Sequence, residues 1–503
     1  MKYIGLIFII VMISLTSCRD DFEFEPSQGT ELRFSRDTVY LDTIFSNIGS
    51  STYTLKVYNT SKKDIRIPRI QLKKGSESQF RLSVDGMAGK SFENVELLAN
   101  DSLFVFVEST VDIKNHSQNK EFLYTDQIQF QAGTNIQEVE LVTLIKDAHF
   151  LYPQRFTNNT YESIPFGEDQ LYGFFLDEND GVNGNELQWT NDKPYVIYGY
   201  AAVPSNKTLH IAEGTEVHFH ENSGLMVYPN AHLEAEGTIQ KPIVFQGDRL
   251  EPSFENTPGQ WDMIFFVQNS TGSLKNAIIK NATIGLFINT QIQPVALENI
   301  QLYNCSNYGI VGRAAKINGK NIVTNNIGKS ALALTFGGTY DFTHCTFANF
   351  WNRAGHNALS MDNYDGTSEF ALNASFKNSI FYSSATESLR MLASENKTNF
   401  NYTFDHCLIK FHDYGQVLYN KYPYLFEDTS KFNQCLISRN NSQYPPFFAN
   451  TSKNQLMITQ NATSLIGYGS AVHAGLVPQD ITGISRMSSP DLGAYQHVTI
   501  TND

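Results

Sequence analysis

The chain has 503 residues, more than a single compact core organises, so two to four domains of about 100–200 residues each are expected. Apolar residues make up 41% and charged residues 17%, which excludes a disordered chain, a coiled coil and a highly charged helical bundle. Lys and Arg number 37 against 51 Asp and Glu, a net charge of −14 with no basic block, so nucleic acid is excluded as a partner. An aromatic fraction of 13%, with abundant Asn, Thr and Ser, favours strands and turns over helices.

Lys2 followed by the apolar run from Tyr3 to Leu15 has the size of a signal-peptide core and is too short to span about 30 Å of hydrocarbon. Leu15-Thr16-Ser17-Cys18 closes it and resembles the lipobox of bacterial lipoproteins. That resemblance implies a signal peptide over 1–17, lipid attachment at Cys18, and an outer-membrane protein anchored through its acyl chains, each buried CH₂ contributing about 0.8 kcal/mol. The acidic stretch Asp20-Asp21-Phe22-Glu23-Phe24-Glu25 resembles the surface-export signal of Bacteroidetes lipoproteins, which implies display at the cell surface. Residues 18–31 read as a tether ending at Pro26-Ser27-Gln28-Gly29.

From 32 to 148 the sequence predicts a β-sandwich, with strands over Thr38–Phe45, Tyr53–Asn59, Ile65–Leu72, Phe80–Val84, Leu103–Val111 and Glu138–Leu144. Tyr53, Leu55 and Val57 alternate with Thr52, Thr54 and Lys56, the pattern of a half-buried strand. The string FSNIGSSTYTLKVYNTSKKDIRI resembles the immunoglobulin-like domains of bacterial surface proteins, which implies a spacer or interaction module.

Residues 149–194 read as a linker and cap, and 195–480 as a solenoid. Gly214 and Gly237 head two Glu-Gly-Thr motifs, 23 residues apart. Asn281, Asn304, Asn325 and Asn349 each follow a strand-like run, at gaps of 23, 21 and 24. A period near 22 with one short apolar strand per repeat is too short for helical repeats and predicts a parallel β-helix, in which like residues stack about 4.8 Å apart. TFDHC, FTHC and FNQC set Cys407, Cys345 and Cys435 in like contexts, with FKNS matching them at Ser379, which favours buried thiols in a stack. The sequence leaves open whether these and Cys305 form disulfides.

The motifs DKPYVIYGYAAVPSNKTLHIAEGTEVHFH, LMVYPNAHLEAEGTIQKPIVFQGDRLE and PGQWDMIFF, with the closing SSPDLGAYQH, resemble the right-handed parallel β-helix (pectate-lyase-like) lipoproteins of Bacteroidetes over about 185–497. The expected fold is all-β, a sandwich followed by a right-handed parallel β-helix, with 481–503 as a closing segment. The fold hosts lyases, hydrolases and adhesins alike, so function rests on the residues.

Enzymes of this fold resembling polygalacturonases carry Asn-Thr-Asp, Asp-Asp and Gly-His-Gly, and none of these strings occurs in the solenoid. Trp351, Arg353, His356, Asp362 and Tyr364 form the richest cluster. An indole stacks on sugar rings and a guanidinium grips a carboxylate, so these five are the candidate glycan-binding residues. Asp362 and Asp365 are also spaced as a carboxylate pair, though a polar surface turn explains them more simply. Glu216, His218 and His220 alternate on one strand face with metal-like spacing, but a solvated face is the simpler reading and no metal site is assigned. Asp177-Glu178-Asn179-Asp180-Gly181 with Asn183 and Glu186 is the one stretch where calcium is considered, and its spacing favours a turn-rich loop. No cofactor is otherwise expected. The leading expectation is non-catalytic recognition of a polysaccharide. Alternatives are a lyase or hydrolase of uronate-containing polysaccharide, and a structural stalk or assembly component.

Overall fold

A computed structural model describes residues 24–27, 32–117, 119–132, 134–393, 399–413 and 426–500. Cys18, the signal segment and most of the tether lie outside the described residues. The chain divides into two compact units, Met1–Asp147 and Ala148–Asp503.

The first unit is a sandwich of two sheets. One pairs Tyr53–Asn59, Ser102–Ser109 and Phe80–Val84 antiparallel, with Leu32–Phe34 and Met87–Gly89 at its edges. The other centres on the hairpin of Glu121–Ala132 with Asn135–Lys146, flanked by Ile65–Leu72 and by Thr38–Phe45, which pairs in parallel. Inward positions such as Leu55, Val57, Ile67, Ile70, Val105, Val107, Ile128 and Phe130 are sealed from water. Glu25 and Pro26, expected in a free tether, instead pair in parallel with Ile65 and Arg66, and Lys63 holds Glu25 at 2.9 Å.

The second unit is a parallel β-helix. Each rung gives three strands in chain order, as in Tyr195–Ile197, Tyr200–Val203 and Thr208–Ile211, and each pairs in parallel with its equivalent one rung on. These stacked strands form a first, a second and a third sheet. In-register stacking produces inward ladders: Leu225, Ile264, Leu286, Ile310, Leu332, Leu359 and Leu389 follow one another through the second sheet. Aromatic rings stack likewise at Phe342, Phe376, Phe404 and Phe432, with centroids 5.8, 4.7 and 5.3 Å apart.

The corner from third to first sheet is one residue in the left-handed region. Asn276, Asn299, Asn321, His344, Asn378, His406 and Gln434 occupy it on successive rungs, with φ between 48° and 56°. Asn tolerates this conformation because its short side chain finds local partners. Here it finds the rung below: Asn299 donates to Asn276 Oδ1 at 2.8 Å and Asn321 to Asn299 Oδ1 at 2.9 Å. Gly237 lies beneath this ladder, where a Cβ would meet the Asn276 carbonyl at 2.3 Å. A second corner uses Asn281, Asn304 and Asn326 (φ 68°, 56° and 56°), so Asn326 and not Asn325 is the repeating residue there.

Residues 149–194 already contribute strands to the coil. His149–Leu151 pairs with Tyr195–Ile197, and Gly173–Phe175 pairs with Tyr200–Ala202. The Ser163–Phe166 strand of this segment sets Ile164 against Tyr200, Ala202 and Met226, covering the outside of the second sheet. At the far end the last described coil strand is Leu436–Ser438, well before the expected boundary at 480. Residues beyond 440 turn back as a strap over the outside of the first sheet. Ile458, Ala462, Leu465 and Leu492 pack on Ile380, Tyr382, Leu408 and Leu436 there.

Candidate functional site

The strap occupies the outward face of the first sheet, and a hairpin occupies the early rungs of the second. The later rungs of the second sheet present two outward columns. One runs Phe287, Val311, Ala333, Ser360, Arg390. The other places Asn289, Arg313 and Thr335 in register, and Thr335 Oγ1 donates to Asp362 Oδ1 at 2.8 Å. Arg313 donates to Asn289 Oδ1 at 3.3 Å and lies 4.3 Å from the centroid of the Phe336 ring, which meets Phe370 edge-on at 5.8 Å. Arg313 and Arg390 are exposed, while Val311 and Ala333 are shielded and form a small-residue floor.

The five residues singled out from sequence take separate places around this face. Asn357–Asp362 is one strand of it, so His356 and Asp362 stand at opposite ends, roughly 20 Å apart at about 3.3 Å per residue. They do not converge on one point. Trp351 and Arg353 belong to the loop entering the strand. Trp351 is half-buried and accepts from Ser384 Oγ through its carbonyl, while Arg353 is exposed. His356 is buried between the Arg353 carbonyl at 2.7 Å and Ser384 Oγ at 2.8 Å, and burial lowers its pKa. Asp362 takes the Thr335 hydroxyl and the Phe336 N–H at 2.9 Å, so its carboxylate fixes the left-handed turn at Phe336. Tyr364 is exposed in the loop leaving the strand, beside Asp365, whose Oδ1 caps Thr367 and Ser368. Asp362 and Asp365 thus both serve turns. Sequence reading missed Arg313, Arg390 and Asn289, because the columns exist only once the register is known.

The other clusters resolve into local structure. His218 is buried, with Nδ1 on the Gly247 carbonyl at 3.0 Å and Nε2 3.5 Å from Glu216. His220 lies just past the end of that strand and meets Asp248 Oδ2 at 2.7 Å. In the acidic loop, Asp180 Oδ1 accepts from the Val182 and Asn183 amides, and buried Glu186 accepts from Asp177 N and Asn183 Nδ2. Cys345, Ser379, Cys407 and Cys435 stack directly after the left-handed corner residue, as their shared context implies. All four described cysteines are free thiols, and burial pushes Cys305 and Cys345 up to about 12, far from a reactive thiolate. Among the described residues one group has metal-ligand geometry: Asp405, His406 and His473.

No family model matches the chain, and no curated protein matches it. Among solved structures, a PapD-like domain of human CEP192 aligns at 8% identity over 25% of this chain and 92% of its own, with a TM-score of 0.16. A family 123 glycoside hydrolase from Clostridium perfringens aligns at 9% identity over 24% of this chain and 26% of its own, at 0.17. The catalytic unit of a GH87 α-1,3-glucanase from Streptomyces thermodiastaticus aligns at 10% identity over 71% of this chain and 78% of its own, at 0.23. Likenesses this slight have no bearing on activity.

Proposed function

We propose that this protein is a cell-surface lipoprotein, acylated at Cys18, that binds an acidic polysaccharide without cleaving it along the outward face of the second sheet. One observation supports the reading above others. On a chain of net charge −14, two exposed guanidinium groups, Arg313 and Arg390, stand on the outward columns of one sheet, with Arg353 exposed in the loop at its edge. Arginine grips carboxylates in two-pronged fashion, and Tyr364 and Trp351 offer rings for sugars, while Phe336 supports the Arg313 guanidinium. Asp362, the carboxylate at the end of the Asn357–Asp362 strand of this face, is engaged in holding the Phe336 turn.

Titration calorimetry with polygalacturonate and a neutral glucan tests this. Binding of the acidic polymer alone is expected, weakening about tenfold or more in Arg313→Ala/Arg390→Ala, since hydrogen bonds to charged groups contribute roughly 1.5–3 kcal/mol each. Equal affinity for the neutral polymer, or undiminished binding by the double variant, would overturn the site. Release of unsaturated product, seen as absorbance near 235 nm, would replace the binding reading with lyase chemistry. Cys18→Ser should free the protein from the membrane fraction, and retention there would refute the anchor.

A further inference from the structure

We infer that Asp405, His406 and His473 form a binding site for one divalent transition-metal ion, of which zinc is the representative, joining the C-terminal strap to the coil. His406 is the corner residue of its rung and Asp405 the strand residue before it. His473 comes from the strap, 68 positions on in the chain. His406 Nδ1 lies 2.7 Å from Asp405 Oδ1, and His473 Nε2 lies 2.7 Å from Oδ2. The two imidazoles stand nearly perpendicular, with centroids 6.3 Å apart, and the donor atoms of all three residues lie within 4.8 Å of one another. All three side chains are largely shielded, between 14% and 28% exposed.

Metal bonds of about 2.0–2.2 Å set neighbouring donors of a tetrahedral ion about 3.3 Å apart. The 2.7 Å N···O pairs are shorter than this and the widest spacing, within 4.8 Å, is longer, so small side-chain rotations bring the three donors around one ion. Each ring then offers a lone pair where it had offered a proton, and that proton moves to the ring's other nitrogen. Asn433 Nδ2, 2.9 Å from Asp405 Oδ1, supplies the outer hydrogen bond that orients a ligating carboxylate. Two imidazoles and one carboxylate suit a borderline ion and leave a fourth position for water, whereas calcium and magnesium require more oxygen ligands.

The corner ladder provides a clean variant. Asn fills the same left-handed position at 276, 299, 321 and 378, so His406→Asn installs the residue that the coil uses elsewhere and removes a ligand without disturbing the turn. Calorimetry of chelator-stripped protein with ZnCl₂ is expected to show a single saturable site. That site should weaken at least about tenfold, the loss even an outer partner typically causes, in His406→Asn and in His473→Asn, and stay unchanged in His116→Gln in the sandwich. CaCl₂ should give no such site. Failure of the wild-type protein to take up zinc, or uptake undiminished in both Asn variants, would overturn the assignment.

Discussion

At the scale of single residues, one corner position shows how far a side chain can be forced from its ordinary chemistry. His344 sits in the ladder that elsewhere holds Asn, fully buried, with Nδ1 3.1 Å from the Gly493 carbonyl and Nε2 accepting from Asn378 Nδ2 at 2.9 Å. That pair of partners fits a neutral ring protonated at Nδ1, and burial, aided by Arg486 and His473, holds its pKa down to about 2. An unfolded chain protonates this ring below about pH 6.5 while the folded one does not. Its contribution is therefore intact above pH 6.5 and falls by up to about 1.4 kcal/mol per unit as pH drops below that value. His344→Asn should flatten the acid limb of stability, read as urea midpoints between pH 7 and 4. A slope equal to wild type would show that the ring gains its proton in the folded state.

At the scale of elements, the inward Phe column is the clearest load on the coil. Phe376 stacks between Phe342 and Phe404 at interplanar angles of 7° and 19°, and it is fully buried. Phe376→Ala should cost about 3–5 kcal/mol in chemical denaturation, because the stacked neighbours cannot close the gap without leaving register. Much of this architecture was legible in the sequence. The strands Thr38–Phe45, Tyr53–Asn59, Ile65–Leu72 and Phe80–Val84 match their expected limits, since each is an alternating run closed by turn residues. The Cys345, Ser379, Cys407, Cys435 column followed from shared context alone. What escaped was whatever depends on register or distant packing. Glu121–Ala132 was missed because buried Asp126 interrupts its apolar alternation, serving instead to hold the Lys74 and Gln127 amides. Asn325 and Asn326 stand side by side, and only backbone conformation separates the repeating residue from its neighbour. The glycan candidates were grouped by closeness in sequence, whereas a β-helix groups side chains a rung apart. Arg313 and Asp362 therefore gave no signal to each other, and neither did His406 and His473.

At the scale of the whole second unit, a parallel coil has to shield whatever apolar surface its sheets turn outward, and here the chain's own end does so. The outward positions Tyr303, Val323 and Ala348 of the first sheet are covered by Leu456, Ile481, Ala494 and Tyr495 of the strap. One buried cation contributes to holding this arrangement. Arg486 is fully buried, donates to Asn321 Oδ1 at 3.0 Å and to the Ala494 carbonyl at 3.1 Å, and is lowered by burial to about 10. It thereby ties the strap to the same Asn ladder that closes each rung. Removing it leaves Asn321 Oδ1 buried without its donor, at a cost of about 1–3 kcal/mol, while the Ala494 carbonyl keeps the Ile481 N–H, and it opens a side-chain-sized void besides. Arg486→Ala should therefore release the strap before the coil melts. Limited proteolysis is expected to cut first within 440–500 and to leave a resistant coil fragment, with the Arg486→Met variant, which keeps the volume but not the donors, intermediate in rate. If Arg486→Ala resists cleavage as well as the wild-type chain does, the remaining apolar and hydrogen-bonded contacts hold the strap and the guanidinium is dispensable to it.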